Sequence, residues 1–217
     1  MRSMNSSALA PRNLRKPRSA PIHPLWMRIT HWLNALAVLV LVASGWRIYN
    51  ASPFFPFSFP ASITLGGWLG GALQWHFAAM WLLAVNGLIY LASNIASRRL
   101  FRKFFPLSIA GIWRDATDAL KGKLSHDDPR HYNSVQRFAY LFVMLDLVLL
   151  VLSGLVLWKS VQFGVLRELL GGYEFARRIH FFAMAALVAF VAVHLVMVAL
   201  VPRTLLTMLS RNGLEKQ

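Results

Sequence analysis

Four long apolar runs constrain this chain more than any other feature of its sequence. They cover approximately residues 25–49, 74–96, 136–158 and 179–201. A helix of about 23 residues is roughly 34 Å long, which is enough to cross a hydrocarbon core of about 30 Å. We therefore predict an all-α membrane protein built as a bundle of four transmembrane helices.

The composition agrees with a location in a membrane. Hydrophobic residues make up 57% of the 217 residues and charged residues only 14%, against about 45–50% and about 25% in a typical soluble domain. The formal net charge of +15 is therefore attributed to basic residues that orient the protein in the membrane, and no nucleic-acid partner is expected. Cysteine is absent, which excludes disulfides, iron–sulfur clusters, thiol catalysis and cysteine-linked haem.

The apolar runs divide the chain into three parts. Residues 1–24 are basic and predict a disordered tail, residues 25–202 form the four-helix domain, and residues 203–217 form a C-terminal tail. The side that holds both termini and the middle loop carries 18 Lys and Arg, and the opposite side carries 5. By the positive-inside rule, both termini and the middle loop are predicted to be cytoplasmic.

Three loops connect the predicted spans. The first outer loop, 50–71, is rich in Pro and Phe and almost uncharged, so it is expected at the membrane interface or beneath a partner. The cytoplasmic loop is expected to form a surface helix near 112–121, and the second outer loop carries an amphipathic stretch around 165–170. No internal sequence repeat is evident.

Four of the seven histidines fall inside the predicted spans, namely His31, His76, His180 and His194. Ionisable side chains at membrane depth are expensive and usually functional. Because successive helices alternate in direction, depth pairs His31 with His194 near the cytoplasmic side and His76 with His180 near the outer side. His180 and His194 are 14 residues apart, which is about 40° in direction and about 21 Å in height on one helix.

Two haems b fit these pairs better than a bare metal ion does. Two neutral imidazoles satisfy the axial positions of a porphyrin iron, whereas a zinc site needs one or two further ligands that nothing at these levels supplies. Gly45 and Gly154 each follow a serine and are interpreted either as room for a flat macrocycle or as ordinary helix-packing residues. We predict a bundle that encloses two haems, each held by two histidines.

A few charged residues near the spans are further candidates. Asp146 is the only carboxylate well inside a span, and it is interpreted either as a neutral, hydrogen-bonded acid or as a proton relay. Arg28, Arg137, Arg177 and Arg178 flank the ligand-bearing helices, where a guanidinium can pair with a haem propionate or anchor a helix. Arg177 and Arg178 are the stronger propionate candidates because Arg is otherwise scarce on their side.

The sequence resembles the di-haem cytochrome b subunits of respiratory formate dehydrogenase and nickel–iron hydrogenase, within the bacterial cytochrome b561 superfamily. The resemblance covers approximately residues 22–210. It rests on the segments HPLWMRITHW at 23–32, WHF at 75–77 and YNSVQR at 132–137, and on the spacing between His180 and His194. It is strongest to the four-helix subunit of the thiosulfate-reductase type, which is associated with a periplasmic molybdopterin oxidoreductase.

The resemblance implies the histidine pairing that depth also predicts. It further implies a ubiquinone or menaquinone near the cytoplasmic haem, contacted by Asn133 and His194. Asn133 and Gln136 are interpreted either as donors to a quinone carbonyl or as residues that satisfy the backbone where a helix begins. Val135 stands where formate-dehydrogenase-type subunits have Gly, so the shape of a quinone pocket is expected to differ.

We therefore expect a multi-pass protein of the bacterial inner membrane, surrounded by lipid, that has no catalytic residues of its own. It would transfer electrons between the quinone pool and a periplasmic redox partner, such as a molybdopterin-dependent oxidoreductase, as a subunit of a larger complex. One alternative is a self-sufficient membrane oxidoreductase, such as a superoxide:quinone oxidoreductase. The other is a haem-free, proton-coupled transporter that uses the histidines and Asp146.

Overall fold

The computed structural model describes residues 24–96, 108–121 and 134–209, and this part of the chain is helical with no strand. The four long helices are α1 (Leu25–Ala51), α2 (Leu69–Ala96), α4 (Ser134–Trp158) and α6 (Tyr173–Leu200). All four are long and apolar enough to cross a membrane. The predicted all-α, four-helix membrane fold is therefore confirmed.

In the described part of the chain, a 3-10 helix (Ala61–Ile63) and three short α-helices accompany the long ones: α3 (Ile109–Leu120), α5 (Gly164–Leu169) and α7 (Arg203–Leu209). Helices α3 and α5 fall where the sequence predicts a surface helix and an amphipathic stretch. The predicted C-terminal tail begins with α7, which lies against α1 because the Arg28 Nε donates to the Met208 carbonyl over 2.9 Å. The predicted N-terminal tail lies outside the described residues.

Two of the long helices begin at least five residues earlier than the apolar runs that predict them. Helix α2 begins at Leu69 and α6 begins at Tyr173, where the runs begin at 74 and 179. Gly171 and Gly172 precede α6 with φ of 79° and 93°, a backbone conformation that glycine adopts without the steric penalty of a side chain. Helix α6 can therefore begin directly after this turn. Its first turns contain Glu174, Arg177 and Arg178, so they lie outside the apolar run that predicts the span.

The long helices pack as two hairpins, α1 with α2 and α4 with α6. Close backbone contacts are extensive within each hairpin and sparse between the two hairpins. Small side chains are buried in the first hairpin at Ala37, Ser44, Ala72 and Ala79, and in the second at Ser153, Ala176 and Ala183. Small residues let membrane helices approach closely, while large side chains such as Leu39, Leu88 and Leu145 are exposed where lipid would surround the bundle.

The first outer loop folds back onto the end of α1. The Asn50 side chain donates to the Phe59 carbonyl and accepts from the Phe59 N–H, both over 2.8 Å. Around Tyr49, ring centroids within 5.5 Å of its own belong to Phe54, Phe57, Phe59 and Phe181. This aromatic cluster joins the loop to α6 immediately after His180.

Candidate functional site

The structure brings the four membrane histidines together in two pairs across the gap between the hairpins. The ring centroids of His31 on α1 and His194 on α6 are 6.2 Å apart, with an angle of 65° between the ring planes. Those of His76 on α2 and His180 on α6 are 6.5 Å apart, with an angle of 61°. Helix α6 thus contributes one imidazole to each pair.

These separations fit two imidazoles on opposite sides of one metal ion. A ring nitrogen about 2.0 Å from the metal leaves the ring centroid about 3 Å from it, so the two centroids would be about 6 Å apart. Within the described residues, no group of three or more His, Cys, Asp or Glu could hold a metal ion. Two imidazoles at this separation would hold a metal whose other ligands come from a cofactor, as the iron of haem b does.

His76 and His180, called the outer pair after the side of the membrane predicted for them, are hydrogen-bonded to two serines that sequence patterning alone does not identify. The Ser44 hydroxyl on α1 lies 3.0 Å from Nδ1 of His76 and donates to the Val40 carbonyl over 2.6 Å. Because the hydroxyl proton is used in that bond, its oxygen accepts from Nδ1–H of the imidazole. The network thus assigns the tautomer in which Nε2 of His76 carries the lone pair.

The second hairpin repeats this arrangement. The Ser153 hydroxyl on α4 lies 3.0 Å from Nδ1 of His180 and donates to the Leu149 carbonyl over 2.6 Å. The same tautomer follows for His180. The sequence signal for both serines is the recurrence of Ser-Gly at 44–45 and 153–154.

Both glycines lie against an imidazole. A Cβ atom added at Gly45 would be 3.6 Å from Cε1 of His76, and one added at Gly154 would be 3.3 Å from Cε1 of His180. The space beside each glycine is therefore taken by a histidine ring. Each Ser-Gly pair supplies a hydrogen bond and a close contact to one outer histidine.

His31 and His194, called the inner pair after the side of the membrane predicted for them, have aromatic neighbours instead. The His31 ring meets Trp32 edge-on with centroids 5.5 Å apart, and the His194 ring lies parallel to Phe190 with centroids 6.1 Å apart. No described residue forms a hydrogen bond with either inner imidazole. The two levels of the bundle therefore differ in the groups that surround their histidines.

A buried amide links α1 and α2 close to the inner pair. Asn86 is 3% exposed, and its Nδ2 donates to the Thr30 carbonyl over 2.7 Å and to Oδ1 of Asn34 over 2.6 Å. These bonds lie within one turn of His31. Sequence patterning missed them because a single Asn in an apolar run does not reveal its partner on another helix.

Asp146 is buried on α4, with 7% of its surface exposed. Its Oδ2 atom has no hydrogen-bond partner among the described residues. Asp146 precedes Ser153 by seven residues, so the two side chains lie on the same face of α4 about 10 Å apart in height. It therefore lies between the two histidine levels.

Three of the remaining predicted site residues lie in the described part of the chain. Asn133 lies outside the described residues, and Gln136 is exposed in the first turn of α4. Arg177 donates to the Ser52 carbonyl, and its guanidinium lies 5.0 Å from the centre of the Phe54 ring. Arg178 lines a groove of about 430 Å³ together with residues of α4 and α6. Propionate contacts by these two arginines stay predictions.

Histidines that face one another across a four-helix membrane bundle are typical of a membrane-bound b-type cytochrome. Residues 22–211 match the family model described as prokaryotic cytochrome b561, and the chain belongs to this family. It is therefore a multi-pass membrane protein that transfers electrons, and haem b is the cofactor that its family implies.

Curated relatives carry two kinds of name. The chain is 72% identical over 188 residues, covering 87% of this chain and 95% of the relative, to the Azospira oryzae "Putative protein-methionine-sulfoxide reductase subunit YedZ1". It is 31% identical over 186 residues, covering 77% of this chain and 74% of the relative, to the Cupriavidus necator "Probable Ni/Fe-hydrogenase B-type cytochrome subunit". No solved structure matches the chain.

Proposed function

We propose that the chain holds two haems b at two levels of the membrane, one between His31 and His194 and the other between His76 and His180. The observation that carries this proposal is the pair of histidine–histidine separations, 6.2 Å and 6.5 Å, that join the two hairpins. Bound haem b supplies a one-electron carrier. The protein supplies the ligands, their spacing and a low-dielectric surrounding.

The vertical spacing of the ligands supports electron transfer across the membrane. His180 and His194 are separated by 14 residues of the continuous helix α6, which is about 21 Å in height. That distance is a large part of a hydrocarbon core of about 30 Å. With the termini cytoplasmic, as the distribution of Lys and Arg favours, one level lies near each face of the bacterial inner membrane.

We assign the quinone to the inner level. Gln136 lies at the end of α4 that is nearest the inner histidines, and Asn133 precedes that helix in the sequence. An apolar groove of about 510 Å³ at the same end is lined by Arg28 and Trp32, and Trp32 contacts His31. These features support exchange of electrons between a ubiquinone or menaquinone from the lipid and the inner level.

We assign a redox enzyme to the outer level. The 72% identical relative is named as a protein-methionine-sulfoxide reductase subunit, so a periplasmic reductase of that class is the first candidate partner, with a molybdopterin cofactor as the family resemblance implies. The 31% identical relative is named as a hydrogenase subunit, which makes a hydrogenase the second candidate. With a reductase as partner, electrons would pass from quinol through the cytochrome to the reductase. With a hydrogenase as partner, they would pass from the hydrogenase through the cytochrome to quinone.

The ligand assignment is tested by measuring haem per chain in single His→Ala variants. The wild type is expected to hold two haems b, of which His31→Ala or His194→Ala removes one and His76→Ala or His180→Ala removes the other. His126→Ala, in the predicted cytoplasmic loop, is the control and should retain both haems. Two haems in all four membrane variants would contradict the assignment, and folded protein without haem would favour the transporter.

The partner assignment needs a separate experiment. The tagged chain is purified from its native membrane, and proteins that co-purify with it are identified and assayed for electron transfer with quinol. A co-purifying periplasmic reductase supports the proposal. Rapid reduction of the isolated cytochrome by superoxide, with no co-purifying partner, would favour the self-sufficient oxidoreductase instead.

A further inference from the structure

We propose that Ser44 and Ser153 are positioning residues that set the electronic properties of the outer haem site. Each serine accepts a hydrogen bond from Nδ1 of one outer histidine and strengthens its Nε2 as a ligand, which gives the outer site a lower redox potential than it would have without that bond. This inference rests on the proposed ligand role of His76 and His180.

The direction of each hydrogen bond carries the first step. A serine in a helix often donates to the carbonyl four residues earlier, and here the short bonds to Val40 and Leu149 do so. Each hydroxyl oxygen can then only accept from the imidazole that lies 3.0 Å away. The Nδ1 atoms of both outer histidines must carry their protons, which leaves both Nε2 atoms available to a metal.

Burial makes these bonds effective. Ser44 and Ser153 are both 0% exposed, so water does not compete for their oxygens. A hydrogen bond is electrostatically stronger in such a low-dielectric environment. A hydrogen bond at the second nitrogen of a ligating histidine fixes the ring orientation and raises the basicity of the ligand.

The same local structure occurs twice, once in each hairpin. In both, a Ser-Gly pair on one helix faces a histidine on the other, with the serine on Nδ1 and the glycine against Cε1. The inner histidines have ring contacts in place of these bonds. The serines therefore act at the outer level alone.

A stronger pair of nitrogen donors stabilises ferric relative to ferrous iron, and hydrogen bonding around the ligands is one of the factors that set haem potentials. Removing either hydroxyl should therefore raise the potential of the outer haem and weaken its retention. It should leave the potential of the inner haem unchanged. That selectivity separates positioning from a general loss of helix packing.

The test uses the full-length, haem-loaded protein with Ser44→Ala and Ser153→Ala. Thr30→Val is the matched control, because Thr30 is a buried hydroxyl beside His31 that donates only to its own helix at the Met27 carbonyl. Each protein is measured for haem per chain, for the two midpoint potentials in a redox titration, and for the low-spin ferric electron paramagnetic resonance signals. Competition with apomyoglobin measures the affinity of each site for haem.

In both alanine variants we expect the affinity of the outer site for haem to be about 10–100-fold lower than in the wild type. In the haem that remains, we expect one midpoint potential to rise and one ferric signal to move, while the second component stays as in the wild type. Ser→Thr at either position keeps the hydroxyl that Ser→Ala removes, so the outer midpoint potential should be that of the wild type. Thr30→Val should change neither component.

Where an alanine variant does not accumulate, Ser→Cys keeps a similar volume with a weak acceptor, and the same rise in one potential is expected. Unchanged potentials and signals in the serine variants, with loss of one haem in His76→Ala, would overturn the inference and leave the proposed function intact. Equal shifts in both haems would also overturn it. Two haems retained in His76→Ala and His180→Ala would refute the proposed function itself.

Discussion

Gly154→Ala and Gly45→Ala make a matched pair of substitutions whose outcomes the structure separates. Both glycines lie in the interior of a membrane helix, where alanine is preferred by about 1 kcal/mol. In the absence of any tertiary effect, both variants would therefore be more stable than the wild type. The difference between them depends on the imidazole that each new methyl group meets.

At Gly45 the added Cβ would be 3.6 Å from Cε1 of His76, an ordinary van der Waals contact. At Gly154 it would be 3.3 Å from Cε1 of His180, so that ring must move by a few tenths of an ångström. His180 cannot move freely, because its Nδ1 is bonded to the buried Ser153 on the same helix as the new methyl group. Overpacking of this kind typically costs about 1–3 kcal/mol.

We therefore expect Gly45→Ala to leave stability unchanged or raise it by up to about 1 kcal/mol. We expect Gly154→Ala to lower it by up to about 2 kcal/mol, the net of the overpacking cost and the helix preference. Thermal unfolding in one detergent, followed by the visible absorbance and by helix content, measures the difference, and a haem assay reports occupancy of the outer site. Equal stability and full haem content in both variants would refute the argument that the Ser-Gly pair fixes the histidine ring.

Three further substitutions test other parts of the bundle. Asp146→Leu removes a buried oxygen without a described partner, so thermal unfolding should show a gain of about 1–3 kcal/mol; a loss of stability would show that the carboxyl has a partner. Asn86→Leu removes the amide that donates to the Asn34 side-chain oxygen and to the Thr30 carbonyl. We expect the free energy of unfolding to fall by about 1–3 kcal/mol and the inner haem to be lost more easily, and unchanged stability would contradict this. Arg177→Gln removes the guanidinium that lies over the Phe54 ring of the outer loop, so limited proteolysis should cut that loop faster, and an unchanged rate would contradict this.

The sequence predicted the parts of this fold that depend on length and periodicity. Four apolar runs long enough to cross a bilayer give four helices, because a membrane span must satisfy its own backbone hydrogen bonds. The depth of each histidine follows from its distance to the end of its run, and the 14-residue spacing on α6 follows from helical geometry. These steps require no knowledge of which helices pack together.

The rest depends on how neighbouring helices are rotated, which no single run encodes. A serine in an apolar helix usually satisfies itself on its own backbone, so the two Ser-Gly pairs do not reveal that Ser44 and Ser153 meet imidazoles of α2 and α6. Asn34 and Asn86 are 52 residues apart and meet only because α1 and α2 form a hairpin. The early start of α6 was missed because polar first turns lie outside the hydrophobic pattern that predicts a span.

The two histidine levels therefore differ in the number of helices whose side chains bond to the histidines. All four long helices contribute to the outer level, because His76 and His180 are each bonded to a serine on another helix. The inner level takes its two histidines from α1 and α6, and no described group bonds to either ring. Histidines that are each hydrogen-bonded to a neighbouring helix are suited to hold a cofactor rigidly, whereas histidines without such a bond leave their rings freer to adjust. This asymmetry supports the proposed exchange of electrons with quinone at the inner level and the proposed fixed transfer site at the outer level.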